Sequence, residues 1–168
     1  MENTFLMWPK VELHRHIEGC MRISTFLDLA RQAKLDLPDW SLAGARGLIE
    51  LREEELHAFS GFLRAFSWLR KVLCTKEALT RVTYEAIADA AAENIRYLEL
   101  RFNPGAMFMQ GMEEADVASA ICEAVEAGQK AFPIYVGIIG IIGRDMQEEI
   151  YTRAVDFCIR YFKRGIDA

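Results

Sequence analysis

The sequence predicts an α/β fold built on a parallel sheet, the N-terminal part of a TIM-type (β/α)8 barrel with about three β/α units. Three observations predict it. Strands alternate with helices along the chain, each strand is apolar on at least one side, and the first two strands carry rows of charge. Lys10 and Glu12 on the first, with Glu99 and Arg101 on the second, put charges of both signs on neighbouring strands. A closed barrel can neutralise such rows internally, whereas an open sheet covered by helices would bury them against apolar side chains at a cost of several kcal/mol. The expected device is an internal ion pair of Glu12 with Arg101.

The opening strand lies within residues 8–19. Side chains alternate along an extended chain, which places Lys10, Glu12, His14 and His16 on one side and Val11, Leu13 and Arg15 on the other. Ser24 and Thr25 can cap a helix to about residue 34, with Phe26, Leu27, Leu29 and Ala30 as its apolar stripe. Residues 35–51 hold Pro38 and two glycines without a sustained period and read as a connection. Residues 53–73 read as an aromatic-rich helix, and Thr75 caps the next, 76–94. The second strand is 95–102, ended by Asn103-Pro104-Gly105. A helix over 112–132 carries acids in its first turn, where they favour the helix dipole. The third strand, 134–142, is apolar on both faces, as a parallel strand between layers should be. Arg144-Asp145 closes it, and 147–163 forms the last helix.

Composition narrows the function. The 168 residues are 52% hydrophobic and 27% charged, ordinary for a folded domain. A formal charge of −5 gives no electrostatic case for nucleic acid or an anionic membrane. The longest strongly apolar run, 131–143, is too short to span a bilayer and contains three glycines and a proline. The first residues lack the basic start of a signal peptide, and the four cysteines form no CxxC pair, reading as reduced thiols. The expected location is the cytoplasm.

His14 and His16, at i and i+2 on one face, can share a divalent ion, and neutral imidazole is a favoured zinc ligand. A lone His-x-His is common. The longer string is not: Pro9-Lys10-Val11-Glu12-Leu13-His14-Arg15-His16-Ile17-Glu18-Gly19 resembles the first strand of the adenosine/adenine deaminase family of metal-dependent amidohydrolases. Phe62-Leu63-Arg64-Ala65-Phe66 resembles that family's Phe-Leu-x-x-Phe helix, and Tyr97 to Pro104 resembles its second strand. The resemblance implies zinc-dependent hydrolytic deamination of a 6-aminopurine, adenosine or adenine. It implies His14 and His16 as metal ligands of one Zn2+ per complete site. Glu18 and Gly19 would lie near the substrate's sugar side, and Phe62, Leu63 and Phe66 would form an apolar lid over the purine. Glu18 departs from the family's commoner Asp, which leaves base, nucleoside and other adenosine-like substrates open. Glu18 also reads as a turn acid, and the phenylalanine stripe also reads as core.

A complete barrel of this kind takes ~250 residues. Residues 1–168 are therefore expected to be a single partial domain, the first half of a deaminase-like barrel that needs a C-terminal half. The family's other metal ligands and proton-transfer groups fall beyond residue 168, so no catalytic residue is assigned within this chain, and the stretch alone is expected to be inactive. His57, the remaining histidine, reads as a surface or lid residue. Two alternatives stand beside this reading: another His-x-His metal-dependent hydrolase and a truncated, non-catalytic fragment. A phosphoesterase of the first kind would need further His and Asp residues soon after the pair, and the next histidine is His57.

Overall fold

The computed structural model describes residues 4–55, 59–143 and 146–161. Three strands, β1 (Lys10–His16), β2 (Ile95–Phe102) and β3 (Tyr135–Gly140), form one parallel sheet in the order β1-β2-β3. Four helices separate β1 from β2: α1 (Ile23–Gln32), α2 (Leu42–Ile49), α3 (Phe59–Val72) and α4 (Lys76–Ala92). Two more, α5 (Pro104–Met109) and α6 (Glu114–Ala131), lead to β3, and α7 (Glu148–Tyr161) follows it.

The expected elements form, with two additions and one later start, since Glu53–Glu55 is a separate 3-10 turn and the helix expected from residue 53 begins at Phe59. Within 35–51 the chain makes α2, because the Ser41 hydroxyl accepts the N–H of Gly44 and caps a helix whose Ala45 and Ile49 are buried. After β2 the chain makes α5 instead of a plain turn. Asn103 Oδ1 accepts from the N–H of Ala106, and Pro104 sits where its missing N–H costs nothing. Thr75 caps α4 as its sequence predicts, but α1 starts from Arg22 with no side-chain cap. Asn94 ends α4 with φ 60°, a left-handed conformation that Asn tolerates. Its carbonyl then accepts from the N–H of Lys10 at 3.0 Å, which brings the foot of β1 beside β2. The expectations for His57, Arg144-Asp145 and the end of the last helix fall outside the described residues.

One face of β2 (Leu98, Leu100 and Phe102) is fully buried under helices. Phe157 of α7 meets Phe102 edge-on at 6.2 Å and Phe108 of α5 at 5.5 Å. The approach of α7 is close enough that a Cβ on Gly140 would fall 2.5 Å from Cys158 Sγ. Between α4 and α6, a Cβ on Gly128 would fall 2.8 Å from Ile87 Cγ2. These glycines let two layers touch. The other face of the sheet carries Tyr97, Glu99 and Arg101, with Tyr97 stacked on Tyr135 at 5.5 Å. Val11 and Leu13, on the side of β1 that continues this face, are 64% and 54% exposed, an apolar surface that a closed barrel would cover.

The expected Glu12–Arg101 pair does not form. Strict alternation would place both on the inner row, but the register of β1 with β2 shifts between Glu12 and Arg15. Glu12 and Arg15 register with Leu98 and Leu100, on the helix-covered side, while His16 registers with Arg101 on the inner side. Glu12 therefore meets Arg15 at 3.6 Å, and Arg15 reaches Glu93 beyond α4 at 3.1 Å. Arg101 finds Glu99 on its own strand, at 3.8 Å. The Glu12–Arg15 pair thus lies on the helix-covered side and the Glu99–Arg101 pair on the inner row, each within one strand. Among the described residues, no helix is long and apolar enough to cross a membrane.

Candidate active site

The irregularity that separates Glu12 from Arg101 also shapes the end of β1. A bulge releases backbone groups from the ladder, and here side chains take them up. Glu12 Oε1 accepts from the N–H of His14 at 3.0 Å, and the Arg101 guanidinium donates to the carbonyl of Leu13 at 2.8 Å. Beyond the bulge the ladder resumes, Ile17 N–H donating to Arg101 O at 2.8 Å. The rings of His14 and His16 come together with centroids 5.4 Å apart. They stand at the C-terminal end of the first strand, where barrel enzymes place their chemistry.

His14 is exposed and His16 half-buried. Burial first, then the charges of His14, Arg101 and Arg70, push the His16 imidazole below its ordinary pKa, favouring the neutral form that binds metal. Its Nδ1 is buried without a hydrogen-bond partner. Such a nitrogen costs free energy unless something else satisfies it, and a metal ion is one such partner. The donor set thus fits a zinc site in part. Two imidazoles converge, and among the described residues no group of three or more His, Cys, Asp or Glu completes a cage.

The chain turns sharply after His16. Ile17 and Glu18 are buried, and Glu18–Cys20 forms a single 3-10 turn. Glu18 is 1% exposed, and neither carboxylate oxygen has a well-formed hydrogen bond. Burial pushes its pKa up, opposed by the backbone amides of Glu18 and Asn103 and by the charge of Arg70. Gly19 lies under α3, where a Cβ would make ordinary contact with Phe66 at 3.8 Å. The Cys20 thiol donates to His16 O at 3.1 Å, and burial pushes it up to about 12, so it is inert at neutral pH.

α3 roofs this turn. Phe62 and Phe66, one turn apart, lie 4.2 Å from each other, and Phe66 meets the His16 ring edge-on at 5.7 Å. His14, His16, Gly19, Cys20, Phe62 and Phe66 all line one open cavity of about 440 Å³. Leu63 does not join them. It is turned about 100° around the helix from Phe62 and is 45% exposed. Sequence reasoning missed Arg70, one turn beyond Phe66 on the same stripe, whose guanidinium lies 5.7 Å from the Phe66 ring centre. Its i+4 spacing was the available signal. It also missed the backbone grips of Glu12 and Arg101, which depend on the bulge.

The comparisons with known proteins agree with this architecture. The adenosine deaminase of Erwinia tasmaniensis is 40% identical over 161 residues, which is 95% of this chain and 48% of that protein. A zinc-bound amidohydrolase of Burkholderia ambifaria superposes with a TM-score of 0.81 at 26% identity, over 96% of this chain and 43% of its own. An Arabidopsis protein, ADAL, solved with GMP, superposes at 0.77 and 26% identity over 99% of this chain and 49% of its own. The chain thus spans about half the length of these relatives, and its parallel sheet and helices match the N-terminal part of a TIM-barrel amidohydrolase. The family model for adenosine deaminase matches residues 9–168, through both histidines, the phenylalanine helix and all three strands, and with that match this chain belongs to the adenosine deaminase family.

Proposed function

We propose that this chain supplies the first half of a deaminase-like barrel, residues 1–168, in a cytoplasmic enzyme that hydrolyses a 6-aminopurine to its 6-oxo product and ammonia. The observation that carries the reading is the pair of imidazoles 5.4 Å apart at the end of β1, one with a buried, unpartnered nitrogen. His14 and His16 would hold one zinc ion, with the remaining ligands supplied from outside the described residues. When bound, zinc brings the pKa of water down toward ~7 and so supplies hydroxide at neutral pH. The chain's own residues do the rest of what can be assigned here. Phe62 and Phe66 give the purine a flat apolar wall and exclude water on one side. Gly19 lines the cavity beside that wall, and Glu18, buried in the same turn, is assigned with it to the sugar side by the family resemblance. By itself the stretch is expected to be inactive, because two imidazoles leave the ion's cage incomplete.

The test uses the complete enzyme of which this stretch is proposed to be the first half. Zinc content is measured by elemental analysis, and loss of the adenine absorbance band is followed with adenosine and with adenine. One zinc per chain with turnover of either compound is the expected result. His14→Ala and His16→Ala are each expected to remove both. Full zinc retention and full turnover in these variants would overturn the assignment.

A further inference from the structure

Arg70 is the charged group this site does not use. Its Nε is buried and has no hydrogen-bond partner. Other arginines nearby have carboxylates, Arg64 with Glu55 and Arg101 with Glu99, but among the described residues Arg70 has none within ion-pair distance. It is held over the face of Phe66, so its head group is oriented instead of free. From there it lines a second cavity of about 430 Å³, with Met109, Met146, Gln147 and Ile150. That volume lies within the range of small-molecule sites.

The position of this cavity follows from the contacts. Along α3 the order is Phe62, Phe66, Arg70, each one turn further on. His16 is 5.7 Å from Phe66, and Phe66 is 5.7 Å from the guanidinium carbon. The cavity's far wall sits over the end of β2, since a Cβ on Gly105 would meet Met146, Ile150 and Asn103. Glu18, buried in the turn after His16, feels the charge of Arg70 and the amide of Asn103. A purine presented to the histidine pair and stacked on the phenylalanines would therefore extend its other end past Glu18 toward Arg70.

We propose that Arg70 is a specificity-determining residue that receives an anionic group, a phosphate or a carboxylate, carried on the 5′ side of an adenosine-type substrate. This rests on the deaminase reading above and narrows its substrate class. A partly buried guanidinium with no carboxylate partner among the described residues is stabilised by an anion of matching fork geometry, and phosphate and carboxylate both fit it bidentately. The apolar lining of Met109, Met146 and Ile150 strengthens that contact by lowering the local dielectric. Glu18, 1% exposed in the turn, feels the charge of Arg70 but makes no ion pair with it.

The experiment compares, in the zinc-loaded complete enzyme, kcat/KM for adenosine, adenosine 5′-monophosphate and an adenosine 5′-carboxylate. Equilibrium binding of inosine and inosine 5′-monophosphate gives a readout independent of turnover. At least one anionic compound is expected to be favoured over its neutral counterpart by about tenfold or more, chiefly through KM. Which anion wins separates phosphate from carboxylate. Arg70→Met is expected to collapse the anionic-to-neutral ratio to near one, and Arg70→Lys, which keeps the charge, to restore part of it. An unchanged ratio in Arg70→Met, or preference for the neutral compounds in the wild type, would overturn the proposal while leaving deamination standing. Absence of purine turnover and purine binding altogether would remove both.

Discussion

Glu12 Oε1 accepts a hydrogen bond from the backbone N–H of His14, two residues further along β1, at 3.0 Å. This contact and the Arg101 bond to Leu13 O together occupy the backbone groups freed where β1 departs from register. The bulge is thus fixed from both sides, and His14 and His16 are held close enough to act on one ion. Glu12→Ala is expected to weaken zinc retention about 10–100-fold, as losses behind a metal ligand do. Glu12→Gln keeps an acceptor oxygen for the amide and should retain most of the affinity, although it loses the ion pair with Arg15. Chelator competition measures the affinity, and amide hydrogen exchange at His14 reports the contact without metal. Equal zinc affinity in the wild type and Glu12→Ala would refute the role.

Phe66 and Leu63 offer a contrast within one helix. Phe66 is 8% exposed and touches Phe62 and His16, whereas Leu63 is 45% exposed. Phe66→Ala is expected to destabilise the fold by about 3 kcal/mol and to raise KM. Leu63→Ala should stay within about 0.5 kcal/mol of wild type and leave KM alone. Denaturant unfolding with steady-state kinetics checks both, and a larger KM effect at Leu63 would reverse the assignment of faces.

The segment before α3 is held by Arg64. Its guanidinium donates to both Glu55 oxygens at 2.9 and 2.8 Å and to the carbonyls of Gly47, Leu48 and Glu50 at the end of α2. The Arg64 hydrogen bonds, with the Arg52 amide, hold the Glu55 carboxyl down to about 2. A carboxylate depressed in the folded state contributes stability that is fully present above its unfolded pKa of 4.5 and is lost as pH falls toward about 2. Glu55→Gln is therefore expected to flatten the stability-against-pH curve between about pH 4.5 and 2. Thermal unfolding across that range measures it, and an unaltered slope would show that Glu55 is not clamped.

Gly140 tests the close packing of β3 under α7. With Cys158 Sγ 2.5 Å from where a Cβ would stand, Gly140→Ala forces the sulfur or the helix to shift. A loss of about 1–3 kcal/mol is expected, with partial recovery in Gly140→Ala combined with Cys158→Ala. Strict additivity of the two variants would mean that the contact is not made.

The sequence by itself determined the elements and the paired histidines, because both are local. Caps such as Thr75, the period of the helices and the two-residue spacing of His14 and His16 are written in neighbouring residues. It did not determine α2 and α5, where one capping side chain outweighs glycine and proline in the composition. Tertiary structure alone decided which way β1 faces after Glu12. A register shift against β2 is a relation between strands 80 residues and more apart in the chain, and once it occurs every later side chain changes side. The same relation pulled Glu12 away from Arg101, and the packing of α3 over the turn turned Leu63 to solvent and left Arg70 beside the cavity. Alternation counts residues along one chain; burial depends on what the neighbouring elements bring to meet them.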